Sequence, residues 1–134
     1  MTLSIVGDLP LTPAIVLNTD DFRLLTKLAH AGISEASTVA DDLLVELDRA
    51  NVVPPEQLPA DVVRMGSRVR YRTGDGDERE VELVYPADAD IDRTRISVMT
   101  PIGAALIGLA KGQSITWQTR AGRVQMLTVL KVGQ

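Results

Sequence analysis

Residues 67–85, SRVRYRTGDGDEREVELVY, decide the fold of the C-terminal part of this chain. From Ser67 to Arg72 charged and apolar side chains alternate, which is typical of a strand with one exposed and one buried face. Asp75-Gly76 is a signal for a hairpin turn, and Glu80 to Tyr85 follows as the partner strand. The stretch therefore predicts an antiparallel β-hairpin. Its exposed face carries a row of three arginines: Arg68, Arg70 and Arg72.

The residues after this hairpin predict more of the same sheet. Ile96 to Met99 has the pattern of a third strand, and Pro101 suits the first position of a short apolar helix that runs through Leu109. Ile115 to Thr119 and Val124 to Val132 predict a last hairpin. We therefore expect a small antiparallel sheet with one short helix against it.

The residues before the hairpin predict two antiparallel helices. Apolar side chains recur at helical spacing from Asp20 to Ala31, with Asn18 or Thr19 as the cap and Gly32 at the end. A second helix is predicted from Val39 to Ala50.

Prolines then mark a boundary in the chain, because they stop helical structure. They are Pro54, Pro55 and Pro59. Residues 1–13 show no periodicity and predict a flexible tail. The predicted fold class is α+β: the tail, a short helical hairpin over residues 14–53, and a sheet domain over residues 54–134.

Charge is distributed unevenly along the chain. Residues 1–66 hold 4 Lys/Arg and 10 Asp/Glu, a net charge of −6, whereas residues 67–134 hold 10 and 8, a net charge of +2. This difference indicates two segments with different partners. Phosphate repels an acidic surface, so we expect the first half of the chain not to bind nucleic acid on its own.

Most enzymatic chemistry has no support in this sequence. There is no cysteine, and His30 is the single histidine, which excludes thiolate sites and histidine clusters. Three alternating aspartates begin like a calcium loop, but the pattern fails where Arg93 replaces the required glycine. They are Asp88, Asp90 and Asp92. We expect no enzyme activity, no metal and no cofactor.

The sequence also gives no indication of a membrane protein. The N-terminus lacks the basic region of a signal peptide, and the longest apolar run, residues 102–110, is too short to cross a bilayer. The expected location is the cytoplasm.

Four segments together resemble one bacterial family. They are ELDRA at 46–50, DVVRMGSRVRYR at 61–72, ELVYPADAD at 82–90 and ISVMTPIGAALIGLAKGQSITW at 96–117. In this collinear order they are similar to the Rnk family, the regulators of nucleoside diphosphate kinase, which belongs with the GreA and GreB transcript-cleavage factors. The resemblance implies an N-terminal coiled coil and a C-terminal domain of the FKBP-like type.

The resemblance also implies a partner, bacterial RNA polymerase, bound at the rim of its secondary channel by a protein expected to be a monomer. The family's contact segment is matched here by Met99, Thr100, Pro101 and Ile102. In the Gre proteins an aspartate often precedes the Ser/Thr-Pro step, and here Met99 stands in its place.

The hairpin tip decides which activity the resemblance implies. Gre factors carry two carboxylates there that help to hold a catalytic magnesium, whereas this chain offers Glu35, with Asp41 and Asp42 further back. Helices of about a dozen residues give an arm of roughly 18–20 Å, and a Gre-type arm must be more than twice as long. We therefore expect polymerase binding and competition with Gre factors, without stimulated transcript cleavage.

Three alternatives remain open at this point. An FKBP-like fold is compatible with peptidyl-prolyl isomerase activity. Tyr71, Tyr85 and Trp117 are the aromatic residues available to line such a pocket. The chain can also be a generic protein-interaction module. The arginine row and the acidic hairpin can be solvated surfaces, the arginines then pairing with Glu80 and Glu82.

Overall fold

The chain is described by a computed structural model that covers residues 14–34, 38–74, 76–118 and 124–133. The predicted tail, residues 1–13, lies outside this range. The elements of the described part are, in order, β1 (Val16–Asn18), α1 (Thr19–Ser34), α2 (Thr38–Asp48), β2 (Asn51–Val53), β3 (Arg68–Thr73), β4 (Glu78–Val84), β5 (Arg95–Ser97), α3 (Pro101–Leu106), β6 (Ser114–Gln118) and β7 (Val124–Gly133).

A five-stranded sheet forms the C-terminal part, with the strand order β5-β4-β3-β7-β6. The predicted hairpin of β3 and β4 is confirmed as an antiparallel pair in which Arg70 lies opposite Glu80. The predicted last hairpin is also confirmed, since β6 and β7 pair antiparallel. One face of β3 is buried through Val69 and Tyr71, as the alternation predicts.

The prediction of a wholly antiparallel sheet was wrong at one edge. Strand β5 pairs with β4 in parallel, with Glu82 opposite Arg95 and Val84 opposite Ser97. An antiparallel neighbour can follow after a tight turn, but residues 85–94 contain two short 3₁₀ turns, after which β5 runs beside the last three residues of β4 in the same direction. The sheet is therefore mixed.

The two helices pack against each other, and the first is longer than predicted. Helix α1 continues through Gly32 to Ser34, although a glycine in a helix costs about 1 kcal/mol. Gly32 is buried, so the packing at that position outweighs the low helix propensity. Helix α2 is shorter than predicted and ends at Asp48.

The early end of α2 has a cause that the sequence pattern did not reveal. Residues 51–53 form β2, which pairs in parallel with β1. The Asn51 amide donates to the Ile15 carbonyl at 2.9 Å, and Val16 donates to the Gly108 carbonyl at 3.1 Å. This two-stranded ribbon therefore joins the base of the helical pair to the turn after α3.

Helix α3 also ends earlier than the predicted Leu109. It stops at Leu106, and Gly108 adopts a φ of +82°. A Cβ atom there would lie 2.8 Å from the Cβ of Ile15, so only glycine lets the turn approach β1 this closely. The turn then bonds to residue 63, whose carbonyl accepts from the Gly108 amide at 2.9 Å.

One hydrophobic cluster joins the helices and the sheet. Leu25 of α1 and Leu43 of α2 belong to the same buried cluster as Leu83 and Leu127 of the sheet. All four side chains have no exposed surface. The helices and the sheet part therefore share one core.

Candidate functional site

The segment before α3 is a closely bonded turn. The Thr100 hydroxyl donates to the Ser97 carbonyl at 2.7 Å and accepts from the Gly103 amide at 3.1 Å. Thr100 is therefore the N-cap of α3, and Pro101 occupies the first helical turn, as predicted. The Met99 amide donates to the Ser97 hydroxyl at 2.9 Å. These bonds hold the segment in one shape.

The four predicted contact residues lie together but are only half exposed. Met99 and Ile102 pack against the hydrophobic core, and Thr100 and Pro101 lie between them on the same turn. The segment thus offers a rigid surface with apolar character. The sequence pattern located this turn, whereas its partial burial follows only from the structure.

The predicted acidic residues of the helical hairpin are partly described. Asp41 and Asp42 lie in the first part of α2 and are exposed. Partial burial raises the pKa of Asp42, and the charges of Asp41 and Glu46 raise it further. Glu35 lies outside the described residues. Within the described ranges the first part of α2 therefore presents a negative surface.

The arginine row is largely neutralised by glutamates of β4. Arg68 pairs with Glu80 at 3.3 Å, and Arg70 pairs with Glu78 at 3.0 Å. Both pairs are exposed, and such pairs contribute about 1 kcal/mol at most. Glu82, predicted as a partner, instead faces Arg95 at 3.7 Å. Arg72 forms no ion pair with the described residues, so the row is mainly a solvated, paired surface.

A polar cluster at the base of the arm was not predicted. Asp21 accepts the Met65 amide at 3.1 Å, a bond between α1 and the sheet part. Asn18 caps the helix by accepting the Asp21 amide at 2.7 Å, and its amide group donates back to the Asp21 carboxylate at 3.3 Å. The Asn18 cap was one of two predicted possibilities, but no local pattern points to Met65.

Tyr85 completes this cluster. Its hydroxyl is buried and lacks a partner at hydrogen-bonding geometry among the described residues. The Asp21 carboxylate is nevertheless close enough to act on it: burial first, and Asp21 second, raise the pKa of Tyr85 to about 12. Burial also raises the pKa of Asp21, while the Met65 amide and Asn18 oppose that effect. The cluster fixes the arm and offers no group poised for chemistry at neutral pH.

We expect two substitutions at Asp21 to differ in their effect on stability. Asp21→Ala removes the acceptor of the Met65 amide and should cost about 1–3 kcal/mol of unfolding free energy. Asp21→Asn keeps an acceptor without the buried charge and should be close to neutral. Urea unfolding at pH 7 measures both values, and equal losses would contradict the assigned hydrogen bond.

The raised pKa of Asp21 also predicts how stability depends on pH, which the wild type and the Asp21→Asn variant can test together. The pKa of Asp21 is raised in the folded state, so the folded protein takes up this proton first as the pH falls. Relative to the Asp21→Asn variant, the wild type should therefore gain stability from pH 7 towards pH 4. Unfolding of both proteins across that range measures the difference, and a loss on acidification would contradict it.

Of the aromatic side chains considered for an isomerase pocket, the two described ones, Tyr71 and Tyr85, are not brought together. Tyr71 lies buried under the sheet face, whereas Tyr85 lies at the base of the arm. The structure does not describe the side chain of Trp117. Elsewhere in the described ranges, no three His, Asp or Glu side chains are grouped as a metal site would require. None of the described helices combines the length and apolarity needed to cross a bilayer.

Comparisons with known proteins agree with the resemblance noted in the sequence. The family model "Transcription elongation factor, GreA/GreB, C-term" matches residues 58–134. The "Regulator of nucleoside diphosphate kinase" of Escherichia coli K12 is 44% identical over 125 residues, which cover 90% of this chain and 89% of that protein. The "Transcription elongation factor GreA" of Thermodesulfovibrio yellowstonii is 37% identical over 76 residues, which cover 56% of this chain and 48% of that protein.

A solved structure resembles the whole described fold. It is that of a "Prokaryotic transcription elongation factor GreA/GreB from Nitrosomonas europaea", with a TM-score of 0.72 and 38% identity. The match covers 90% of this chain and 99% of that chain. The family model alone spans more than half of the chain, and the Escherichia coli relative spans nearly all of it. The chain therefore belongs to the GreA/GreB family of transcription elongation factors, together with the regulator of nucleoside diphosphate kinase.

Proposed function

We propose that the protein is a regulator that binds bacterial RNA polymerase at the rim of the secondary channel and competes there with Gre factors without stimulating transcript cleavage. The sheet domain, of the FKBP-like type, supplies affinity through the turn of Met99, Thr100, Pro101 and Ile102. The helical hairpin occupies the channel entrance. The protein acts as a monomer in the cytoplasm, and its contact with DNA is indirect at most.

Family membership supports the transcriptional part of this proposal. The relatives carry names of transcription elongation factors and of a regulator, and none of these names is that of an enzyme. The match with the Escherichia coli regulator includes both the helical and the sheet part, since it covers 90% of the chain. The GreA relative is matched over about half of its own length. The part that this chain shares with GreA is therefore the natural candidate for shared binding.

The length of the arm is the observation that carries the proposal. Helix α1 has 16 residues, a length of about 24 Å at 1.5 Å per residue. Its first turn is fixed to the sheet part by the bond from Met65 to Asp21, and Leu25 is buried in the shared core. Only the remaining turns can project into a partner. An arm of this length fits a role at the entrance of the channel, remote from the catalytic metal.

The chemistry of the arm supports the same division of roles. Asp41 and Asp42 lie side by side on an exposed surface, and each charge adds to the negative potential of the other. A negative arm suits the entrance of a site that attracts cations. The two residues lie on α2 rather than between the helices, which places them behind the tip.

A cleavage assay tests the proposal directly. We expect the purified protein to bind polymerase, and Gre-stimulated cleavage of backtracked complexes to fall as the protein is titrated in, because both proteins use one docking site. Fluorescence anisotropy of labelled protein measures binding, and gel analysis of labelled RNA measures cleavage. A variant that replaces both Met99 and Ile102 by serine should lose binding and inhibition together.

Two results would contradict the proposal. Restored cleavage in stalled complexes without any Gre factor would show that the short arm acts at the metal. Unchanged cleavage at a concentration that saturates polymerase would show that the two proteins do not share a site. The Arg72→Ala variant, altered on the opposite face of the sheet, is the matched control and should inhibit like the wild type.

A further inference from the structure

An open depression lies beside the polar cluster of Asp21 and Tyr85. It has a volume of about 460 Å³, and we call it the base pocket. Its apolar wall is formed by Leu24 of α1, Met65 and Val84 of β4. Leu24 is 48% exposed, so part of this wall faces water in the free protein. The base pocket therefore combines apolar surface with the polar atoms of the cluster.

The Asp21 carboxylate uses only one of its two oxygen atoms within the folded chain. The Met65 amide and the Asn18 side-chain amide both donate to Oδ2, at 3.1 Å and 3.3 Å. Among the described residues, none donates a hydrogen bond to Oδ1. A carboxylate can accept several hydrogen bonds. Asp21, which lines the base pocket, therefore keeps an unused acceptor for a ligand.

Tyr85 shows that a polar partner is missing at the same place. Its hydroxyl is the one buried side-chain polar atom in the described ranges that lacks a hydrogen-bond partner. The hydroxyl lies close enough to Asp21 for that carboxylate to act on it, and both residues line the base pocket. A buried hydroxyl without a partner costs free energy, which a donor on a bound ligand can recover.

The charge of the base pocket is negative. Three carboxylates and one guanidinium line it: Asp21, Glu82, Asp88 and Arg95. Arg95 faces Glu82 at 3.7 Å, whereas Asp88 is exposed and forms no ion pair with the described residues. The charge of Arg64 also acts on Asp21, but Arg64 does not line the pocket. The pocket therefore repels an anion and attracts a cation.

The lining of the pocket favours one kind of cation. A metal ion needs several carboxylates around one point, and no three His, Asp or Glu side chains in the described ranges are grouped in that way. An ammonium group is a compact, strongly hydrated charge that gains little from an apolar wall. A guanidinium is more weakly hydrated and has five N–H donors, and the stem of an arginine packs on apolar surface.

We propose that the base pocket binds an arginine side chain presented by another protein. The stem packs against the apolar wall, and the guanidinium donates to Asp21 Oδ1 and to the oxygen of the Tyr85 hydroxyl beside it. Asp88 adds a second negative charge at the mouth. Free arginine is the poorer ligand, because Asp21 and Asp88 would repel its own carboxylate. This inference does not depend on binding to polymerase.

The test uses the full-length protein and four small probes. The first is the peptide acetyl-Ala-Arg-Ala-amide, and its matched control has citrulline in place of arginine, which keeps the shape and removes the charge. The same peptide with lysine and free arginine are the other two probes. NMR titration of the amide signals of Met65 and Gly66, which both line the pocket, measures the affinity for each probe.

Three variants and one matched control locate the site. Asp21→Asn and Asp88→Asn each remove one charge, and Tyr85→Phe removes only the hydroxyl. The control is Asp92→Asn, because Asp92 is an exposed aspartate of the same segment as Asp88 and does not line the pocket. Thermal unfolding checks that each variant is folded. Tyr85→Phe should be at least as stable as the wild type, because its hydroxyl has no protein partner to lose.

We expect the arginine peptide to bind in the millimolar range and the citrulline peptide at least about tenfold more weakly, because charge-assisted hydrogen bonds are about twice as strong as neutral ones. Asp21→Asn should weaken binding of the arginine peptide about tenfold. Tyr85→Phe and Asp88→Asn should each weaken it about threefold, and Asp92→Asn less than twofold. Weaker binding at unchanged stability separates a contact with the ligand from a structural role.

Four results would overturn the inference. The first is an arginine peptide that leaves the Met65 and Gly66 signals in place. The second is equal binding of the citrulline peptide, and the third is equal or tighter binding of the lysine peptide or of free arginine. The fourth is an effect of Asp92→Asn as large as that of Asp88→Asn, which would show a general effect of negative charge. Since polymerase is absent from every arm, failure here leaves the proposed function to its own cleavage assay.

Discussion

Replacement of Leu43 by alanine should lower the free energy of unfolding by about 2–5 kcal/mol, the usual cost of removing a buried leucine side chain. Leu43 belongs to α2, yet it has no exposed surface and lies in the cluster that contains sheet residues. The helical and sheet parts should therefore unfold in one transition. Circular dichroism at 222 nm and tryptophan fluorescence should give the same urea midpoint.

Val45 offers the matched control for this prediction. It lies two residues away on the same helix and is 63% exposed, so Val45→Ala should change the free energy by about 0.5 kcal/mol or less. Two separate transitions in the wild type would show that the proposed hairpin, residues 14–53, and the proposed sheet domain, residues 54–134, unfold independently. Equal effects of the two substitutions would contradict the shared core.

Replacement of Gly103 by alanine should disrupt the proposed contact turn and cost about 3 kcal/mol, at the upper end of what overpacking a core usually costs. A Cβ atom at this position would overlap the Ser97 carbonyl oxygen and lie 2.8 Å from the Cα atom of Val98. Both are backbone atoms and cannot swing aside as a flexible side chain could. The main chain of the turn must move, so polymerase binding should weaken beyond the loss of stability.

Gly74→Ala is the control for this substitution. The closest atoms to a Cβ there belong to Met126 at 3.6 Å or more, an ordinary contact distance. We expect Gly74→Ala to be near neutral in thermal unfolding and in binding to polymerase. If Gly103→Ala bound and unfolded like the wild type, the close approach between α3 and the turn would not be needed for either property.

Residue 100 shows how one site combines a local rule with a tertiary contact. Pro101 marks a helix start that sequence alone reveals, and the structure adds that Thr100 caps this helix. The same hydroxyl also donates to the Ser97 carbonyl, which ties the helix to the end of β5. The predicted contact residues are therefore held by two elements at once, which keeps the surface in place before a partner arrives.

The sequence by itself determined the features that depend on neighbouring residues. Alternation at Arg68 to Arg72 predicted β3, because a strand places successive side chains on opposite faces. The cap at Asn18 or Thr19 and the Pro101 helix start were predicted for a similar reason, since each needs only a few adjacent residues. The collinear segments from residue 46 to residue 117 pointed to the family, and the comparisons show it.

Only the tertiary structure decided the features that join distant residues. Three such features are the parallel pairing of β5, the ribbon of β1 and β2, and the bond from Met65 to Asp21. They have no local sequence signal, because the two partners of each contact lie far apart in the sequence. The open depression lined by Tyr71, Ile91 and Ile102 belongs to the same class, since it collects side chains from several separate elements. Periodicity reports which side of an element is buried, and only packing determines what lies against it.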